Sequence, residues 1–371
     1  MSVAGKPASR ATVRMKAQVQ LPVELAAAVL ASAPPPDGRT NQGLVGVVVP
    51  THNDGPNIAE LLERLLTDPL VGEILVVASA CTDETVPTVL EISNRCGGRV
   101  RLYVEAERSG KAAAINFGIQ ETSMPLILIV SGDVLPDEGA IGHMVRALRA
   151  PGVGMVGGRP VPVNGQDTPV GHAVHLLWRL HDRLARHQPK LGEMIALREE
   201  AVVSLPRTSV DEACFQAMLE CDGGWKSAYV PEAVVINRGP GSARDFVKQR
   251  RQVHTGHLWL RHRQGYTVPS LQPALLLYEL WRDLRSDPSR TEPKRLAWTA
   301  GAVAMEAWAR MRARADFVRG RENHVWEMVQ STKAPALDAD GVHPGHGELV
   351  AGSGLAEAAA DQRGRQHQLS L

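Results

Sequence analysis

The chain has 371 residues, enough for one large domain or two smaller ones, and 44% of them are hydrophobic, so a sizeable core can form. Lys and Arg (41) nearly balance Asp and Glu (40), and a formal charge of +1 gives no global field that would favour nucleic acid. The cysteines Cys81, Cys96, Cys214 and Cys221 form no CxxC pair, which argues against a zinc cluster or a disulfide framework and suits a reducing cytoplasm. No secretory leader is evident, because the basic residues near the N-terminus are not followed by an apolar core of the usual length. No run approaches the roughly 20 apolar residues of a membrane span. The nearest, Leu296–Trp308, is short and contains Glu306.

Residues 1–43 are expected to be a mostly disordered tail, with one short helix at Leu21–Ala33 that Pro34, Pro35 and Pro36 stop. The apolar run Leu44–Pro50 predicts a buried strand, THNDGPN a turn, and Ile58–Leu66 a helix by its apolar spacing. Glu73–Ser79 predicts a second strand and Thr85–Cys96 a second helix, with Thr82 or Asp83 as N-cap. A strand at Arg99–Glu105, a helix at Lys111–Gln120 and a strand at Leu126–Val130 follow. This alternation predicts an α/β fold with a doubly wound, mostly parallel sheet and right-handed crossovers.

Further on, Glu138–Arg149 reads as a helix, Gly152–Val163 as a strand pair or one bent strand, and Val170–His187 as a helix. Segments 192–201 and 211–222 follow, then two strands, SAYVP and AVVIN. Ala243–His262, Leu271–Ser286 and Glu292–Phe317 predict a helical extension over residues 243–330, after a main domain at 44–242. From Ser331 to residue 371 the chain is rich in Gly, Ala, Pro, Asp and His without periodicity, and a disordered tail is expected.

Chemistry should collect where strands end, because ligands of open α/β sheets bind outside the carboxyl ends of the strands. Ser131, Gly132 and Asp133 follow the fourth strand at once, so Asp133 is the first candidate. Pro50, Thr51, Asn53 and Asp54 end the first strand; they could face a nucleotide or simply turn and cap the next helix. Arg108 and Lys111 flank Ser109 and Gly110 at a helix start, where dipole and cations together favour a diphosphate. The stretch is not a Walker loop, and no GxGxxG follows the first strand.

The pieces VVVPTHND, ILVVASACTDET, RSGKAAAIN and ILIVSGDVLPDEGAI, in this order, resemble the nucleotide-sugar half of the family 2 glycosyltransferases, which have the GT-A fold. The likeness extends to about residue 260. It implies that Pro50, Thr51, Asn53 and Asp54 lie near the nucleotide and that Arg108, Lys111, Asn116 and Gly132 line the nucleotide-sugar site. Asp133 matches the last Asp of the DxD motif, which holds a divalent ion, Mg²⁺ or Mn²⁺, against the diphosphate. Ser131 stands at the first Asp of that motif, and no acid for the base occurs near Ala78 or Ser79.

The stretch SVDEACFQAMLECDGGWKSAYVPEAVVINRGP resembles the family's catalytic segment, with Asp211 closest to the base and Glu212 beside it. In GEMIALR, Glu193 and Met194 would face the sugar or acceptor. KQRRQVHTGH resembles the QxxRW region of processive members: Gln249, Arg250 and Arg251 fit, whereas Gln252 and Val253 replace Arg and Trp. Arg250 and Arg251 would reach the diphosphate; a solvated basic helix face is the alternative. His172, His175 and His181 lack the HExxH pattern and read as helix-surface or acceptor-pocket residues.

The resemblance implies a metal-assisted, inverting transfer from a nucleotide-diphosphate sugar, a UDP-sugar, to an acceptor hydroxyl. A nucleotide-sugar-binding or scaffold protein without catalysis is an alternative, motivated by Ser131, Gln252 and Val253. A sugar nucleotidyltransferase would need a Gly-rich, Arg-containing loop after the first strand, which PTHNDGPN is not. The expected partners are the sugar donor and an unidentified acceptor, with no nucleic acid. Leu271–Trp281 and Leu296–Trp308 would pack on the domain, form a homodimer face or lie on a membrane surface, giving a cytoplasmic protein with peripheral membrane contact as one outcome.

Overall fold

The computed structural model describes residues 43–221, 223–322 and 324–335. The expected helix at Leu21–Ala33 and the tail beyond residue 335 lie outside the described residues.

Strand β1 (Val45–Thr51) is buried along its whole length, and so is β2 (Val71–Ser79), as continuous apolar runs require when both faces of a parallel sheet are covered. β3 (Val100–Glu105) alternates buried and half-buried positions, because it lies at the sheet edge. With β4 (Leu126–Val130) these strands run parallel in the order β3-β2-β1-β4.

The sheet then changes hand of pairing. β7 (Met194–Arg198) is antiparallel to β4 and to β6 (Val153–Pro162), β8 (Lys226–Asn237) is parallel to β6, and β5 (Val134–Pro136) is antiparallel to β8. The result is one mixed, eight-stranded sheet flanked by helices. Of the two readings of 152–163, a strand pair or one bent strand, the single strand is found, whereas SAYVP and AVVIN, expected as two strands, are one strand, β8. Pro231 does not break β8, because the register with β6 shifts between Gly157 and Arg159, beside it.

Helices cover both faces. On one face, α1 (Gly55–Thr67) packs Ile58, Leu61, Leu62 and Leu65 into the core with α2 (Thr85–Arg95) and α4 (Ala140–Leu148). On the other lie α3 (Lys111–Glu121), α6 (Asp211–Cys221) and α7 (Ala243–Gln264), with Ile115, Phe215 and Leu260 buried. Gly118 makes this possible for α3: a Cβ there would stand 2.4 Å from Val48 Cγ1.

The long helix α5 (Pro169–His187) starts on a Thr168 cap and carries the C-terminal helices α8 (Pro273–Arg285) and α9 (Pro293–Val318). Asp283 of α8, fully buried, is ringed by Arg179 and Arg183 of α5 and by Arg290. His187 bonds Glu279, and His172 bonds Thr299 at 2.9 Å. Two of the α5 histidines therefore serve as struts to α8 and α9. No helix among the described residues is long and apolar enough to cross a membrane.

Candidate donor and transfer site

The carboxyl ends of β1 and β4 lie side by side, because the two strands pair in parallel. Asp54 follows β1 and Asp133 follows β4. Asp54 is 2% exposed and is fixed by its own turn: Thr51 Oγ1 donates to it at 2.7 Å and the His52 backbone N–H at 3.1 Å. Gly132 is the reason the carboxylates can meet. A Cβ there would stand 2.6 Å from both Asp54 Oδ2 and Thr51 Oγ1.

Between the two carboxylates sits an ammonium group. Lys333 Nζ is 2.5 Å from Asp54 Oδ1 and 2.9 Å from Asp133 Oδ2. Burial, then the Asp133 charge, pushes the Asp54 carboxyl upward, and Lys333 opposes both. Burial disfavours the Lys333 charge, yet Asp133 and Asp54 outweigh it and raise its pKa. Two carboxylates converging on one cation fit a hard divalent ion, with Lys333 as the stand-in. No cluster of three or more His, Cys, Asp or Glu able to hold an ion exists among the described residues. An ion here would thus use Asp133 and Asp54 and complete its shell with water and ligand oxygens, as Mg²⁺ commonly does.

Lys333 belongs to a stretch, 324–335, that runs across the site. Trp326 Nε1 donates to the Ser209 carbonyl at 3.0 Å, Lys248 pairs with Glu327 at 3.0 Å, and Asn57 Nδ2 donates to the carbonyls of Lys333 and Ala334. Ser331 bonds Asp245. Residues 331–335, expected to begin a disordered tail, are instead held in place by the site. Side-chain contacts, not a periodic apolar face, hold them, which is why no pattern marks them.

The second group of carboxylates lies at the start of α6. Lys111 Nζ, at the start of α3, is 3.0 Å from Asp211 Oδ2 and 3.1 Å from Glu212 Oε1. Burial, then Glu212, raises the Asp211 pKa to about 6, with Lys111 opposing. Burial also pushes Glu212 up, but Lys111 and backbone hydrogen bonding more than offset it and its pKa falls. Lys111, expected near a diphosphate, is committed to these acids. Arg108 lines the same cavity and has no carboxylate partner among the described residues.

Glu193 stands just before β7 with φ +64, a left-handed conformation that costs a non-glycine residue of order 1 kcal/mol. Burial, then Asp133 and Glu212, raises its pKa to about 7. Pro50, Thr51, Asp54, Arg108, Lys111, Asp133, Glu193, Asp211, Glu212, Gln249 and Arg250 line one cavity of about 610 Å³.

Other expected site residues lie elsewhere. Asn116 bonds Leu205 in both directions at 2.8 Å and lines a smaller neighbouring cavity of about 250 Å³. Asn53, at φ +56, accepts from the Thr82 backbone N–H and so joins the ends of β1 and β2. Arg251 does not face the cavity: Asp316 of α9, 3% exposed, holds its guanidinium. Arg250 bonds Glu306 at 3.0 Å. Sequence reasoning missed Lys333, Lys190 and Trp326, which line the cavity, because none belongs to a motif. It also missed how the edge near Ser79 gains an acid. Glu105 of β3 accepts from Ser79 Oγ at 2.5 Å, placing a carboxylate beside β2 from the neighbouring strand.

An α/β sheet of this order, with acids at adjacent strand ends over one cavity, is a GT-A-type glycosyltransferase fold. The mannosyltransferase PcManGT from Pyrobaculum calidifontis, solved in complex with GDP-Man and Mn²⁺, superimposes with a TM-score of 0.53 over 80% of this chain and 96% of that one, at 22% identity. Residues 46–204 match the family model "Glycosyl transferase family 2".

Two relatives agree. The uncharacterized glycosyltransferase YaiP of Escherichia coli is 27% identical over 121 residues, 32% of this chain and 30% of its own. The uncharacterized glycosyltransferase Rv0539 of Mycobacterium tuberculosis is 28% identical over 165 residues, 43% of this chain and 70% of its own. The matches to the first curated relatives span about a third of their length, 30% and 38%.

Proposed function

We propose that the protein transfers a sugar from a nucleotide-diphosphate sugar, a UDP-sugar, to an acceptor hydroxyl with inversion of the anomeric centre. The observation that supports it best is the opening of both acid groups, Asp54 with Asp133 and Asp211 with Glu212, into one cavity. A divalent ion held by Asp133 and Asp54 would supply positive charge to the leaving diphosphate. Arg108, unpaired and at the start of α3, adds charge of the same sign there.

Asp211 acts as the base that takes the acceptor proton. Its raised pKa suits that role, because a base works best when its pKa lies near the working pH. Lys111 keeps the Asp211–Glu212 pair ionised and in place. Glu193, in its strained turn, borders the sugar or acceptor.

A second reading is a nucleotide-sugar-binding protein without turnover, favoured by Ser131 in the motif and by Lys333 between the two acids. Turnover of UDP- and GDP-sugars with and without Mn²⁺ separates the two. Asp133→Ala should abolish transfer, and Asp211→Asn should lower it about 10²–10⁴-fold with nucleotide binding intact. Full activity in both variants would remove the assignment, and nucleotide binding without any turnover in the wild type would favour the second reading.

A further inference from the structure

The second half of the cavity is of another character. Beyond the acids it runs between α5, α8 and α9, walled by Leu177, Leu180, Leu276, Leu280, Phe246 and Val303. At its lining sit polar groups without partners. His181, 4% exposed, bonds through neither ring nitrogen; His257 Nδ1 and Ser270 Oγ are also unbonded. A buried polar atom left unpaired is costly, and these three residues all line the cavity.

The charge at that end is positive. Lys190, Arg250 and Arg310 line it, and Glu306 is already shared by Arg250, His254 and Arg310. Lys190 makes no ion pair among the described residues, and burial, then Arg250, lowers its pKa to about 8. Burial, then Lys190, keeps His181 and His257 neutral. Glu193 and Glu212 bound the far side, toward Asp211.

The apolar half opens to the surface. Leu277 and Val303 line the cavity yet are 65% and 45% exposed. Trp281, one turn from Leu277 on α8, is 50% exposed, and Tyr278 and Trp308 are similarly open. Each of these three rings carries an arginine on it: Arg285 at 4.6 Å from the Trp281 centroid, Arg282 on Tyr278, and Arg312 on Trp308. Exposed apolar and aromatic residues with basic side chains folded over them suit the headgroup layer of an anionic membrane.

We propose that the acceptor is an anionic amphiphile taken from a membrane surface, with its hydroxyl-bearing head at Lys190 and His181 and its apolar chain leaving between Leu277 and Val303. This rests on the transferase reading and adds the acceptor class to it. A soluble polar acceptor would leave the leucine wall wet and would give the exposed aromatic residues no role, whereas an amphiphile fills the wall and sets its charged head against Lys190.

The test uses the full chain and lysophosphatidylglycerol with a brominated chain, read by quenching of tryptophan fluorescence. Saturable quenching is expected, and Trp178→Phe, which replaces an indole fluorophore in the cavity wall by a phenyl ring, should remove part of it. Leu280→Asp and the exposed Val303→Asp should each weaken binding about tenfold or more by placing a charge on the chain's path. Lysophosphatidylcholine should bind more weakly, and glycerol 3-phosphate should not compete. Phosphatidylglycerol vesicles should float the protein, and Trp281→Glu with Trp308→Glu should prevent it.

Absent or unsaturable quenching, or unchanged binding in Val303→Asp, would overturn the acceptor class. Amphiphile binding without flotation would overturn the membrane source. UDP and GDP binding is measured calorimetrically in parallel. Nucleotide bound without amphiphile sinks this inference alone; amphiphile bound without any nucleotide sinks the donor reading instead.

Discussion

Lys333 and Asp133 are in contact at 2.9 Å although 200 residues separate them, and Asp54 closes the same ammonium group from the other side. A lysine there competes with any divalent ion for the same two carboxylates. Lys333→Ala should therefore tighten Mn²⁺ binding about tenfold or more, since a neighbouring opposite charge is worth one to several units of pKa to such groups. The same variant should melt at lower temperature in chelator and recover when Mn²⁺ is added. Mn²⁺ affinity, read by electron paramagnetic resonance of the free ion, would be unchanged if Lys333 were only a surface contact.

Gly132→Ala should damage the same place by shape alone. Its Cβ would meet Asp54 Oδ2 and Thr51 Oγ1 at 2.6 Å, so Asp54 must move off its turn. A loss of about 1–3 kcal/mol of stability is expected, the usual cost of overpacking. Mn²⁺ affinity should fall in parallel. A variant that melts and binds like the wild type would show that the two carboxylates need not be close.

Lys111→Met should leave Asp211 and Glu212 without their counter-ion. Breaking a buried pair costs roughly 3–5 kcal/mol, and about half of that is expected here because the Lys111 side chain is 33% exposed and water screens it. Urea unfolding measures the loss. The pKa of Asp211 should rise, so transfer should need a higher pH than in the wild type.

Transfer should depend on pH through Asp211. As the proposed base, Asp211 works ionised, and burial, then Glu212, raises its pKa to about 6. The rate constant kcat/KM should therefore be flat above that value and fall roughly tenfold per pH unit below it. Residual activity in Asp211→Asn should lose this acid limb. An acid limb that persists in Asp211→Asn would move the base to another group, with Glu193, raised to about 7, the first to test.

The parallel half of the fold was legible because burial on both faces leaves unbroken apolar runs such as Val45–Val49 and Leu126–Val130. The acids at strand ends were legible for the same reason: a strand that stops abruptly marks the sheet edge. Strands β6 and β8, in the mixed half of the sheet, were less so, because Gly157, Gly158 and Pro231 interrupt their pattern and only their parallel pairing with each other restores it. Arg251 misled because its charge suits a diphosphate, whereas Asp316, 65 residues on, claims it. Lys333 was illegible, since its meaning lies wholly in two partners more than half the chain away.

The stretch carrying Lys333 also bears on how the protein comes to be made. Asp54 and Asp133 leave the ribosome long before residue 333, so for most of synthesis the two acids face each other with no lysine to neutralise them. The contact spans 279 residues, so it cannot form until every strand of the sheet has been synthesised. A nascent chain halted before residue 333 would present its acid pair open to ions in solution, and a chain extended past that residue is the first form in which Lys333 can answer them.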